Sequence, residues 1–187
     1  MTAAAGSARR PYLPGDPPPE AEIARIVRVD HAGEYGATRI YDGQLAVMRH
    51  GRARDEIRRM AEQEARHLAT FNELVRARQV RPTLLQPLWH MAGYALGVAT
   101  ALLGEQAAMA CTVAVEEVID EHYSGQAERL GDADPALKDK ILAFRVDELA
   151  HRQMAIEHGA TETLGYELIA AAIKTGSRLA IWLSTRI

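Results

Sequence analysis

From Ala21 onward the apolar residues recur at helical intervals instead of alternating, so one face of each segment is apolar and the opposite face polar. After His67, for example, Leu68, Phe71 and Leu74 continue one face, and Leu142, Phe144 and Leu149 are expected to surround Glu148 in the same way. No stretch reads as a strand. Ala, Leu, Glu, Arg and Met dominate, Gly and Pro are sparse, and aromatic residues make up only 5%, so the intrinsic preference is helical throughout. The pattern predicts a helix over about 21–50 ending near Gly51, and a second over about 53–78 stopped before Pro82. An apolar stretch at 84–103 precedes a helix over about 105–130 that ends near Gly131. Asp134 is placed to cap the next helix, with Pro135 at its first position, and this helix runs to about 158. A last helix is expected over about 161–185.

The fold class is therefore all-α. With 187 residues the chain suits one domain with a full core. The Pro-, Ala- and Gly-rich opening "MTAAAGSARRPYLPGDPPPE" has no apolar run, so residues 1–20 are expected to form a flexible tail rather than a secretory signal, leaving a domain at 21–187. A net charge of −3 offers no basic stripe for nucleic acid. The lone Cys111 excludes a disulfide framework, a paired-cysteine redox motif and a cysteine-ligated zinc or iron site.

The chemistry lies in a weak internal repeat. "EYGATRIYDGQ" at 34–44 and "EEVIDEHYSGQ" at 116–126 share Glu, Tyr, Gly and Gln at an offset of 82. Glu-x-x-His also occurs twice, as Glu64/His67 and Glu148/His151, at an offset of 84. Such nearly equal offsets are what a duplicated four-helix bundle looks like. On a helix, positions i and i+3 share a face, so each Glu-x-x-His can present one carboxylate and one imidazole to a common point. The other two helices each add one Glu. The repeat maps Glu34 onto Glu116 and selects it over Glu117, giving the set Glu34, Glu64, His67, Glu116, Glu148 and His151.

One Glu from each of two helices and Glu-x-x-His from each of two more is the donor set of a carboxylate-bridged dinuclear centre. Four carboxylates are balanced by two divalent ions, and oxygen with imidazole donors suits iron or manganese. Glu64 and Glu148 are the expected bridges, with Glu34 and Glu116 terminal. Asp147 and Gln63, each preceding a ligand Glu, are placed to reach the imidazole of the opposite motif. Tyr41 and Tyr123, two turns after Glu34 and Glu116, are candidates to line the centre. His31 and His122 are read as helix caps or solvated side chains.

At "RVDHAGEYGATRIYDGQLAV" (28–47) the chain resembles the demethoxyubiquinone hydroxylase family of ubiquinone biosynthesis. The likeness continues through "FNELVRARQVRPTLLQPLW" (71–89), "ALGVATALLGEQAAMACTVAVEEVIDEHY" (95–123) and "DELAH" (147–151). This resemblance implies a ferritin-like four-helix bundle with additional membrane-contacting helices, and a centre of two iron ions cycling between Fe2+ and Fe3+. Its ligand pattern falls on the same six residues, without departure. The implied reaction is O2-dependent hydroxylation of a demethoxyubiquinol ring. A polyprenyl quinol, O2, an unidentified electron donor and a lipid-presenting partner protein are implied participants, and a homo-oligomer is compatible.

From Pro82 to Gly104 the chain carries no Asp, Glu, Lys or Arg. Pro87, His90 and the glycines soften this run, which is read as an interfacial segment walling a lipid-accessible pocket, with a buried helix or a dimer seam through Gly93-x-x-x-Gly97 as the alternative. The last helix pairs an apolar face including Trp182 with Lys174, Arg178 and Arg186, a pattern suited to an anionic surface. The expected location is peripheral, on the cytoplasmic face of a bacterial cell membrane or the matrix face of the inner mitochondrial membrane in a eukaryote. The competing readings are a ferroxidase or other ferritin-like oxidase, and a non-enzymatic quinone-binding protein at a membrane surface.

Overall fold

The computed structural model describes residues 18–187. Six helices account for most of them: α1 Pro19–Val47, α2 Arg52–Ala77, α3 Gln86–Leu102, α4 Glu105–Leu130, α5 Pro135–Glu157 and α6 Tyr166–Ser184, with a short 3-10 turn at Ala160–Glu162. No strand occurs among the described residues. Of the tail expected over 1–20, residues 1–17 lie outside the described residues, and α1 already begins at Pro19.

Local chemistry explains the boundaries. Asp134 caps α5 by accepting from the Leu137 N–H at 3.0 Å, with Pro135 at the first position. At the end of α2, Gln79 adopts φ 52°, so the Val80 N–H reaches the Val75 carbonyl and the Gln79 N–H that of Arg76. This Schellman closure stops the helix before Pro82. Two boundaries differ from expectation. α1 stops at Val47 because Met48 turns extended and buries its side chain. α6 starts only at Tyr166 because Gly159 and Gly165, both left-handed, bracket the 3-10 turn.

α1, α2, α4 and α5 form an antiparallel bundle of the ferritin-like type, in which α3 lies along α1 and α6 along α4. The duplication is therefore larger than the repeat suggests: each half contains three helices, α1–α2–α3 and α4–α5–α6. α4 is central. Its run from Ala107 to Glu116 is buried at every position, and small residues let neighbours close on all its sides. Apolar clusters fill both ends of the bundle. Tyr41, Ile57, Met60 and Met109 belong to one, and Ile26, Phe71, Leu137 and Ile141 to the other. Each such side chain contributes roughly 1.5–3 kcal/mol on burial. The polar residues of interest occupy the level between them.

The Gly93-x-x-x-Gly97 seam packs within the chain, not between copies. A Cβ on Gly97 would fall on the Ile40 carbonyl of α1, and one on Gly93 would lie 2.9 Å from the Gly36 carbonyl. α3 thus rests backbone to backbone on α1 and presents Leu88, Met91 and Leu102 outward.

Because no flexible side chain can yield at that contact, Gly97→Ala should cost about 1–3 kcal/mol, seen as a lower urea midpoint at unchanged slope. Gly125→Ala, whose added methyl meets only the mobile end of Arg129 at 3.4 Å, should leave the midpoint unchanged or raise it.

Candidate metal centre

Glu34 from α1, Glu64 and His67 from α2, Glu116 from α4, and Glu148 and His151 from α5 converge at the waist of the bundle, each only 2–4% exposed. The i, i+3 spacing of each Glu-x-x-His turns both side chains of the motif inward. Two overlapping donor groups result: Glu34, Glu64, His67 and Glu148 in one, and Glu64, Glu116, Glu148 and His151 in the other. Within each group the donor atoms lie within 4.8 Å of one another. Glu64 and Glu148 belong to both. Each group could hold a metal ion, and Glu64 and Glu148 would be available to both.

His151 Nδ1 hydrogen-bonds Glu148 Oε2 at 3.1 Å, but the other contacts among these groups are close and badly aligned for hydrogen bonding. His67 Nδ1 lies 3.1 Å from Glu148 Oε1 and 3.5 Å from Glu34 Oε2, yet Nδ1 and Glu34 Oε2, like Glu64 Oε1, have no hydrogen-bond partner. Buried polar atoms rarely remain unpaired. Here they aim at shared points between them, and the donor set fits a pair of divalent transition-metal ions.

The electrostatics agree. Burial, and then repulsion from neighbouring carboxylates, pushes Glu64 well above the ordinary range; burial also raises Glu34 and Glu116, aided by Glu148. Burial would raise Glu148 too, but the imidazoles of His151 and His67 hold it down to about 2. Burial would lower His67, yet Glu148 and Glu34 drive it up to about 10. None of the four glutamates is paired with a Lys or Arg among the described residues.

A polar frame holds the cluster, crossing between the two halves. Tyr41 of α1 donates to Glu116 Oε1 of α4 at 3.0 Å, and Tyr123 of α4 donates to Glu34 Oε1 of α1. His67 Nε2 faces Asp147 Oδ2 at 3.1 Å, and His151 Nε2 faces Gln63 Oε1 at 3.3 Å. With its Nε2–H so engaged, each imidazole turns Nδ1 to the cluster. Phe144 stacks on His67 with centroids 3.9 Å apart. Glu117 points outward to Arg152 and Lys174, so Glu116 is the residue brought inside.

Other expectations are corrected. Leu149, one residue past Glu148, is rotated outward and is 40% exposed. His31 and His122 sit within helices and cap nothing. His31 is buried against Asn72 at 3.0 Å, and His122 lies beside Asp30. Lys174 pairs with Glu117, and the exposed Arg178 with the exposed Glu121, so both basic groups of α6 have their charge matched by α4. Cys111 is buried beneath α6, which pushes its thiol up to about 12 and removes it from thiolate chemistry.

Sequence reasoning missed Asp30, noted Gln126 only as an identity of the repeat, and gave His122 the role of a cap or solvated side chain. Asp30 is buried, its pKa raised by burial, and its Oδ1 accepts from Gln126 Nε2 at 2.6 Å. The signal was present: Asp30 and Glu34 are one turn apart on α1, and Gln126 is an identity of the repeat. Asp30 and His122 line a small cavity of about 30 Å³ beside the glutamates. Val29, Gly33, Ala37, Val115, Ile119 and Ile181 line both this space and an apolar cavity of about 490 Å³ enclosed by α1, α3, α4 and α6. The larger cavity reaches the surface at Leu179, 55% exposed.

Residues 21–184 match the family described as ubiquinone biosynthesis protein COQ7. A 3-demethoxyubiquinol 3-hydroxylase of Rhodospirillum rubrum is 55% identical over 176 residues, covering 94% of this chain and 83% of its own. The human mitochondrial NADPH-dependent 3-demethoxyubiquinone 3-hydroxylase is 47% identical over 171 residues, covering 89% and 79%. A mitochondrial 5-demethoxyubiquinone hydroxylase of Saccharomyces cerevisiae is 42% identical over 184 residues, covering 89% and 79%.

A prediction follows from the raised proton affinities. At pH 7 the metal-free cluster holds a proton on His67, whose pKa is about 10, and its raised carboxyls retain protons to higher pH than exposed ones. Metal ions bind the deprotonated donors, so loading must release protons, and affinity must rise with pH. Titrating the metal-free protein with Fe2+ in lightly buffered anaerobic solution should release roughly one proton or more per chain. Loading without acidification would contradict this charge state.

Proposed function

The chain belongs to the ubiquinone biosynthesis protein COQ7 family, and from that membership we propose that it hydroxylates the ring of a demethoxyubiquinol with O2 at a pair of iron ions held in the domain over 21–187. The observation that carries this reading is the junction of two unlike spaces: a buried Glu/His cluster with two shared carboxylates, and an apolar cavity opening from it toward the surface. A polyprenyl quinol is built the same way, with a polar ring on a long apolar tail. A ferroxidase would admit hydrated ions, to which apolar walls are poorly suited, and a simple quinone-binding protein has no use for four glutamates in its core.

In this reading Glu34, Glu64 and Glu148 with His67 would hold one ion, and Glu64, Glu116 and Glu148 with His151 would hold the other. Bound there, two iron ions would supply the reduction and cleavage of O2, with one oxygen atom going to the ring, the other to water, and two electrons coming from an external donor. The chain's own residues do the rest. Tyr123 and Tyr41 fix the terminal carboxylates by donating to them. Asp147 and Gln63 accept the Nε2–H of His67 and His151, so both Nδ1 atoms keep their lone pairs for metal. Val115, Ile119 and Ile181 exclude water from the ring's approach, which protects the reaction from side leakage.

The tail emerges between α3 and α6. Leu88, Met91 and Leu102 on α3 and Leu168, Leu179 and Trp182 on α6 are exposed. No helix among the described residues is long and apolar enough to cross a membrane. We therefore read the protein as peripheral, resting these two helices on the bilayer that holds its substrate: the cytoplasmic face of a bacterial cell membrane, or the matrix face in a eukaryote, as the mitochondrial relatives suggest. The electron donor is a separate molecule, and several relatives are described as NADPH-dependent. A lipid-presenting partner protein and self-association belong to the same proposal.

Incubation of iron-loaded, reduced protein with a demethoxyquinol and isotopically labelled O2 tests the reaction. One labelled atom should appear on the ring and bound iron should approach about two per chain, whereas His151→Ala or Glu116→Ala should lower bound iron and reduce hydroxylation to background. Iron oxidation with no labelled quinol would favour the ferroxidase instead. The cavity is tested separately by Gly176→Leu, since a Cβ at Gly176 meets nothing within 4 Å and the residue lines the apolar cavity. That variant should keep its iron and fold while KM for the quinol rises about 10-fold or more.

A further inference from the structure

Among the buried polar groups with an unpartnered atom, which include Thr112 and Gln44, Asp30 is an acid that lines the small cavity outside the six-residue cluster. Asp30 is 2% exposed on α1, and only one of its oxygens is engaged. Oδ1 accepts from Gln126 Nε2 at 2.6 Å and lies 3.4 Å from His122 Nε2. The Gln126 amide also stands 2.8 Å from His122 Nε2, so its two hydrogens serve both neighbours. Oδ2 is buried without any hydrogen-bond partner. A buried carboxylate oxygen left unpaired is costly, and its retention calls for a partner that arrives from elsewhere.

The location narrows that partner. Asp30 and His122 share the small cavity with Glu34, Glu64, Glu116 and Glu148, at the inner end of the apolar cavity. Gly33, one turn beyond Asp30, has nothing within 4 Å of its Cβ position, so the wall is open there to a flat ring. The duplicated architecture supplies an internal comparison. The offset of 82 places Thr112 opposite Asp30 and Ile40 opposite His122, while the glutamine is kept as Gln44 and Gln126. Gln44 donates to the Ala108 carbonyl with no carboxylate involved. The bundle therefore folds around this level without an acid in its other half, and Asp30 is set where residues of both halves line the small cavity.

Resting on the hydroxylase reading above, we propose that Asp30 recognises the substrate head group: its Oδ2 accepts a hydrogen bond from a ring hydroxyl of the quinol, with Gln126, itself braced by His122, holding Oδ1 in place. The contact sets which ring position faces the two ions, and it discriminates a free hydroxyl from an alkylated or absent one.

The test measures binding to the metal-loaded protein under anaerobic conditions, by tryptophan fluorescence, with two short-chain probes: a demethoxyquinol with both ring hydroxyls free and its O-methylated counterpart. Wild type should bind the free quinol more tightly. Asp30→Leu should weaken free-quinol binding about 10-fold or more while leaving the O-methylated probe within about twofold, because only the free hydroxyl loses an acceptor. Asp30→Asn, which preserves shape, should show a smaller loss of the same selectivity and covers the case in which the leucine variant fails to fold. Iron content and helicity are checked alongside. If wild type prefers the free quinol and both variants keep that preference, Asp30 is not the recognising group, and the hydroxylase reading stands. If both probes weaken equally in the variants, Asp30 is structural and the proposal is overturned. If wild type binds neither probe, the quinol reading of the site falls and this proposal with it.

Discussion

Four carboxylates and two imidazoles occupy the core of a helical bundle, with no Lys or Arg to balance them among the described residues. Taking one ion out of water costs several kcal/mol even after relaxation, and a whole domain is stable by only about 5–15 kcal/mol. The cluster can persist only if something neutralises it. Protons do so in the metal-free chain, which is why Glu64 and Glu116 are raised and His67 holds its proton to about pH 10. Two divalent ions would do so without leaving donor atoms unpaired. The rest of the fold serves this constraint, with apolar clusters above and below the polar level and tyrosines of each half bracing the glutamate of the other.

Much of this was legible in the sequence because it is encoded by spacing along single helices. Glu-x-x-His fixes two side chains on one face, and the offset of 82 separated Glu116 from Glu117 with no structural information. The reach of Asp147 to His67 and of Gln63 to His151 was legible for the same reason, since each residue is the neighbour of a positioned glutamate. The cap at Asp134 is local chemistry and needed nothing else.

What failed depended on partners chosen in three dimensions. Lys174 and Arg178 look like a basic face along α6, but Glu117 and Glu121 of α4 stand opposite and claim them. Gly93 and Gly97 have the spacing of a seam between two helices, and spacing cannot say whether the second helix is in the same chain; here it is α1. Asp30 escaped notice and His122 was given the wrong role because their partner residues are far away in sequence, and an isolated Asp in a helix reads as a surface residue. The third helix of each half was also invisible as a repeat, since α3 and α6 have diverged to face a different environment from the bundle.

That divergence gives the molecule a direction. Outer faces of α3 and α6 are apolar, the cavity between them is apolar, and only its inner end meets polar groups. The pseudo-symmetric scaffold is thus opened on one side alone, and the asymmetry between Asp30 and Thr112 falls on the same side. A substrate with a polar head and a lipid tail matches this gradient from end to end.

The claim on which all else depends is that the six converging side chains hold two metal ions sharing Glu64 and Glu148. Crystals of the iron-loaded protein, with the iron positions located by anomalous scattering, test it directly. The account predicts two peaks about 3.5–4 Å apart at the waist of the bundle, with Glu64 and Glu148 each reaching both. A single peak, or iron bound away from these residues, would contradict it.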